Sequence, residues 1–130
     1  MTIPLAVDAE GAVQAWFQSR FPAVRVVTEL PNQLEAALPV YKVLGLGGPM
    51  KLSLTTARME VQAFGADRRT ARQLAVSALS AARRELPGQI VNSVAFVSVQ
   101  VTVAPHVVEY DNPNVRRAVV EFDVVCHPAP

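Results

Sequence analysis

The stretch YDNPNVRRAVVEFDVVCHP, residues 110–128, opens on an Asp-Asn-Pro turn signal and continues as an alternating run. Ala118, Val120, Phe122, Val124 and Cys126 fall on one side of an extended chain, and Arg117, Val119, Glu121, Asp123 and Val125 on the other. Successive side chains of a strand point to opposite faces, so this strand has one wholly apolar face and one mixed face. That pattern belongs to an antiparallel sheet covered on one side.

Working outward, VNSVAFVSVQVTVAP, residues 91–105, is expected to put Ala95, Val97, Val99, Val101 and Val103 on one face and Phe96, Ser98, Gln100 and Thr102 on the other. From about Leu52 to Phe64 a further strand sets Met59, Val61 and Ala63 against Arg58, Glu60, Gln62 and Phe64. VRVVTEL, residues 24–30, and VYKVLGL, residues 40–46, read as strands from their β-branched content, with PNQLEAALP between them as a loop or short turn. Two helices complete the set. The first runs from an Asp8 cap to Arg20, with Ala12, Val13, Trp16 and Phe17 on one face and Glu10, Gln14 and Gln18 opposite, and Pro22 follows it. The second is capped by Asp67, carries Ala71, Leu74, Ala75, Ala78, Leu79, Ala82 and Leu86 as a stripe, and stops at Pro87-Gly88. The expected fold is α+β, a mostly antiparallel sheet with two helices packed on one face in the order α-β-β-β-α-β-β, within one domain spanning residues 1–130.

A chain of 130 residues with 51% hydrophobic and 18% charged residues can bury a core without a metal or disulfide staple. The single cysteine cannot form an internal disulfide, which suits a protein assembled in the cytosol. MTIPLAVDAEGAV has no basic segment followed by an apolar run, so no signal peptide is expected, and no run reaches the ~18 apolar residues of a membrane span. The net charge of +1 argues against a general nucleic-acid binder. Ten arginines stand against Lys42 and Lys51 alone, a skew that suits a high-GC genome and also suits protein interfaces.

The chemistry-bearing residues do not assemble into a catalytic signature. GLGGPM, residues 45–50, lacks the third glycine and following helix of a dinucleotide-binding turn and the Lys-Ser or Lys-Thr of a P-loop, so Gly45, Gly47, Gly48 and Pro49 read as a flexible connection. Cys126 and His127 are strand neighbours pointing to opposite faces, and His106 sits beside Pro105 in an expected bend. Glu121 and Asp123 share a face at i, i+2 but on an open strand surface. No catalytic, cofactor or metal site is therefore expected. The charge placement is more informative. Arg69, Arg72 and Arg83 share a sector of the second helix opposite its apolar stripe, with Arg68 and Arg84 nearby and Glu85 the only acid after the cap. They form either a solvated face or a docking surface for an acidic partner or for DNA passing close by. The Asp-Asn-Pro turn is expected to project Arg116 and Arg117 toward neighbouring chains.

Taken in order, AVQAWFQSRFP with VRVVTELP, then LPVYKVLGLGG, FGADRRTARQLA and YDNPNVRRAVVEFDVVCHP make the chain similar to the small tail terminator proteins of tailed bacteriophages, particularly actinobacterial phages with long non-contractile tails. The most specific match is Tyr110-Asp111-x-Pro113-x-Val115-Arg116-Arg117. The resemblance implies a virion protein of the tail or neck, assembled in the bacterial cytoplasm as a homo-oligomeric ring, typically a hexamer. Such a ring caps the tube of major tail tube protein, halts its polymerisation and meets the head-tail connector, with DNA passing through its lumen without sequence specificity. It implies no cofactor and no membrane. Tyr110, Asp111, Arg116, Arg117, Glu121 and Asp123, with Arg69, Arg72 and Arg83, are the expected interface residues. Little aromatic content surrounds the glycine segment, unlike many relatives, which leaves that segment's role open. A head-completion or neck connector protein of the same particle is the alternative, distinguished by gene order. A small α+β ligand-binding or enzymatic dimer is the rival from another class, and it would show a defined pocket with converging polar groups.

Overall fold

A computed structural model of the protein describes residues 7–51 and 54–130. It is a mixed α+β structure: α1 (Ala9–Arg20), β1 (Arg25–Val27), α2 (Leu34–Ala37), β2 (Val40–Gly45), β3 (Met50–Lys51), β4 (Leu54–Gly65), α3 (Arg68–Glu85), β5 (Ile90–Val91), β6 (Val94–Val108) and β7 (Arg116–Pro128). The short elements α2, β3 and β5 are additions to the expected order. The sheet runs β1-β2-β4-β7-β6-β5, with β3 paired to β4. Every pairing is antiparallel except β1 with β2.

Both long helices begin where a side-chain oxygen can satisfy an orphan amide. Asp8 accepts from the Gly11 amide at 2.9 Å and Asp67 from the Thr70 amide at 2.8 Å. Val13 and Phe17 of α1 and Ala71, Ala75, Ala78 and Ala82 of α3 enter one cluster with Met59 and Val61 of β4 and with Val120, Phe122, Val124 and Cys126 of β7. The apolar face expected for residues 118–126 is buried throughout. Alanines along α3 let its backbone approach the sheet closely, while Phe17, Phe21 and Tyr41 fill the wider gap beside α1 through edge-on and stacked ring contacts. A second, smaller cluster of Leu34, Val40, Phe64 and Val115 covers one end of the sheet's other side, which is why Phe64 is buried although it alternates with Met59, Val61 and Ala63.

Three expectations are corrected. The alternation expected for β6 fails because register shifts fall between Phe96 and Ser98, Val101 and Val103, and Val103 and His106. Each extra residue of a bulge resets the period of two. Phe96 therefore joins the main cluster and Val97 is 50% exposed. His106 lies within β6 opposite Val119, not in a bend. The glycine segment is not a loose connection either. The Leu46 amide donates to the Arg58 carbonyl at 2.7 Å, Arg58 to Gly47 at 2.9 Å and Thr56 to Pro49 at 2.9 Å, which lays residues 46–49 along β4 as one side of an arm. Leu52 and Ser53, in the expected start of the third strand, lie outside the described residues.

Tyr41 is buried, and its hydroxyl donates across the core to the Leu74 carbonyl of α3 at 2.5 Å. Burial pushes its phenol pKa up, against a small opposing pull from the Arg20 charge. A folded-state pKa raised above the ordinary ~10 gives stability that is complete below that pH and lost as pH rises through the folded value. At the acid end the signs reverse. The Thr70 amide holds the Asp67 carboxyl low, and the Arg20 hydrogen bond does the same for Glu85, so their contribution is lost as pH falls through the folded values. Urea midpoints measured across pH should fall at both extremes. Tyr41→Phe should cost about 1 kcal/mol at neutral pH and flatten the alkaline limb; an unchanged alkaline limb would place the titration elsewhere.

Candidate interaction surfaces

Arg68, Arg69, Arg72, Arg83 and Arg84 are all exposed on α3. The acid nearest its end, Glu85, is taken by Arg20 of α1, whose Nε donates to its two carboxylate oxygens at 2.8 and 3.1 Å. Among these cations Val76 is 48% exposed. With Leu79, Ser80, Arg83 and Arg84 it lines a groove of about 390 Å³, an apolar floor between guanidinium walls. Val76 was legible as the valine in QLAVSALS that falls off the buried stripe, yet the expected interface omitted it.

The turn between β6 and β7 is braced from within. Tyr110 packs edge-on against Phe64 with ring centroids 5.3 Å apart, and the Arg117 guanidinium lies 5.3 Å from the Tyr110 ring. Arg117 Nη2 donates to the Glu109 carbonyl at 3.1 Å, while its Nε is buried with no partner among the described residues. Arg116 Nη1 donates to the carbonyls of Pro113 at 2.9 Å and Val115 at 3.3 Å. The turn leaves carbonyls unpaired and both guanidiniums bond to them, while Arg116 stays exposed and Arg117 is half-buried. Asn112 donates to the Glu35 carboxylate at 3.0 Å and caps the Asn114 amide at 2.9 Å. What faces outward is Glu109, Asp111, Pro113, Asn114 and Arg116, and Arg68 of α3 lines the same cleft.

On the side of the sheet away from the main cluster, Arg58 Nε meets Asp123 at 3.1 Å, and Glu121 stands directly opposite Glu60, whose carboxylate accepts from Gln62 Nε2. Two like charges in register oppose the pairing of their strands. Residues 58–62 and 117–123 were each read as mixed faces; that they neighbour one another depends on register, which neither segment carries alone. Cys126 is buried, and burial pushes its thiol pKa up, which keeps it a thiol and not a nucleophilic thiolate. His127 alternates to the other face and His106 pairs opposite Val119, seven positions along β7 from Cys126. Among the described residues no group of three or more His, Cys, Asp or Glu could hold a metal ion.

Two further surfaces are apolar. Beyond Phe96, whose backbone bonds to Gly88 and Gln89, the outer edge of β6 has no strand partner among the described residues, and from Ile90 to Val108 the chain has no Asp, Glu, Lys or Arg. Ile90, Val97 and Val101 are 62%, 50% and 36% exposed there. The arm exposes Leu46, Met50 and Leu54 by about half each. No protein-family model matches the chain, and no curated protein matches it. Among the described residues no helix is long and apolar enough to cross a membrane.

Proposed function

We propose that this protein is a structural subunit of a phage particle, a tail terminator that closes into a ring, caps the tail tube, stops its polymerisation and gives the head-tail connector a surface to join. The observation that carries this reading is the uncharged outer edge of β6 with Val97 and Val101 exposed beside it. An unprotected strand edge is a template for another chain, and a soluble protein keeps one when a partner covers it. The apolar arm is a second such surface at a different place on the chain. Two dissimilar patches per subunit make head-to-tail contacts, which close into a ring when the rotation allows. In this reading the two long helices cover one side of the sheet, and the opposite side, apart from the end that α2 covers, serves contacts or the lumen, where DNA passes without base readout. Capping is steric: the ring occupies the surface on which the next tube subunit would add, and no catalytic group is needed.

The test is to interrupt the gene early in the source phage and examine lysates by electron microscopy. Over-long or ragged tails unattached to filled heads are expected. Tails of normal length that fail to join would move the protein to the head side of the neck, and normal infectious particles would overturn the proposal.

A further inference from the structure

We propose that neighbouring copies join by strand addition, the outer edge of the arm of one chain pairing antiparallel with the outer edge of β6 of the next; this rests on the ring reading above and states which of its two patches meets which. Among the described residues the sheet ends on one side in β1, β2 and the arm, and on the other in β5 and β6. Most of the first end is already occupied. Gln18 of α1 accepts from the Val26 amide at 3.3 Å, β1 covers β2 from Val40 to Lys42, and the Gly45 amide donates to the Glu10 carboxylate at 2.7 Å. What stays bare is the arm, residues 46–50. At the second end, β5 and the Gln89 backbone cover β6 as far as Phe96, which leaves Val97 to Ala104 before Pro105, a residue with no amide to donate. Neither bare run holds a charge, and charged side chains are the usual protection of a free edge.

The strand directions select unlike edges. β4 and β6 run the same way, each being antiparallel to β7, and the arm is antiparallel to β4. The arm therefore runs opposite to β6. A neighbour turned about an axis along the strands keeps these directions, so its arm meets β6 antiparallel while its own β6 is left free for the next copy. A two-fold axis would set β6 on β6 and stop at a pair. The hydrogen bonds of the arm suit the same contact. Gly47 and Pro49 turn their carbonyls to the Arg58 and Thr56 amides, so Gly48 and Met50, which alternate with them, turn amides and carbonyls away from β4. The donor that Pro49 lacks is thus an inner one, and the outer edge loses nothing by it. The lengths agree as well: residues 46–50 span roughly 17 Å and Val97 to Ala104 roughly 26 Å at 3.3 Å per residue. Leu46 and Met50 are exposed on the arm, as Val97 and Val101 are on the edge, and the pairing brings these apolar side chains together. Nucleic acid would find no cation on either edge, whereas an uncharged strand answers both the bare backbone groups and the apolar side chains.

The experiment compares wild-type chain by sedimentation velocity with two full-length variants, an edge variant, Val97→Lys with Val101→Lys, and an arm variant, Leu46→Lys with Met50→Lys. Wild type is expected to form a closed oligomer, and each variant alone to associate roughly 100-fold more weakly, because a lysine on the edge opposes strand addition. The edge variant keeps its arm and the arm variant keeps its β6, so an equimolar mixture should give a one-to-one dimer that grows no further. That dimer also shows that both variants are folded. Hydrogen exchange tests the same contact without substitutions: as wild type passes from dilute monomer to oligomer, the amides of Gly48 and Met50 should gain protection together with amides between Val97 and Ala104. If the arm variant assembles like wild type and only the edge variant fails, β6 pairs with β6 or with a different strand, and this contact is overturned. If both variants assemble like wild type, or if exchange at Gly48 and Met50 does not slow in the oligomer, the contact is wrong and the ring reading stands. A wild-type chain that stays monomeric at every concentration removes the ring reading and this contact with it.

Discussion

Phe122→Ala should lower the unfolding free energy by about 3–5 kcal/mol, a large share of the 5–15 kcal/mol that holds a typical domain together. Phe122 is fully buried at the middle of β7, the strand on which the sheet centres, with Met59 in register on β4 and Val101 on β6. Its ring belongs to the cluster that joins residues of α1 and α3 to Val120 and Val124. Truncation leaves a ring-sized void between strands paired along most of their length, so the backbone has little room to collapse into it. Val125→Ala, three residues away on the other face and only half-buried, should cost less than about 1 kcal/mol. Urea titrations of the two variants against wild type decide the point. Equal losses would mean that the 118–126 face is not the organising core.

The contrast between those two positions also shows what the sequence could convey. The faces of β7 were legible because each inward position is apolar and the strand has no bulge to break the count. The same reasoning failed on β6, whose valines are spaced as regularly, because register shifts depend on the partner strand and leave no mark in a run where nearly every residue tolerates either face. β5 was hidden differently. Asn92 and Ser93 both take positive φ, 49° and 63°, in a two-residue turn joining β5 to β6, yet Asn-Ser is a weaker hairpin signal than Asn-Gly. The interaction surfaces divide along the same line. The arginine face of α3 follows from helical spacing, whereas the hydrogen bonds of Arg116 and Arg117 answer unpaired carbonyls that only the folded turn creates. The turn therefore offers a mixed surface, with Glu109 and Asp111 beside exposed Arg116 and with Arg68 lining the same cleft.

The glycine segment supports the sharpest local prediction. A side chain at Gly48 would overlap the carbonyl oxygen of Thr56 on the paired strand, and its φ of 158° is one that L side chains rarely adopt. Gly48→Val can be accommodated only by moving the 46–49 strand away from β4, which breaks the bonds from Arg58 to Gly47 and from Thr56 to Pro49 on either side. Two backbone bonds at about 1 kcal/mol each correspond to roughly 30-fold faster amide exchange at Thr56 and Arg58. The arm lies outside both buried clusters, so it can open without unfolding the domain, and the global urea midpoint should barely move. Gly47 is the internal control. Its φ of 79° calls for a residue tolerant of left-handed backbone, and nothing lies within 4 Å of an added Cβ, so Gly47→Asn should keep the protection that Gly48→Val loses. If exchange at Thr56 and Arg58 is unchanged in Gly48→Val, the arm is not zipped along β4. If it rises as expected, the same variant also bears on the proposed terminator function. Leu46, Met50 and Leu54 would no longer be held along β4, and under the terminator proposal, with docking through these residues, tails should grow past their normal length.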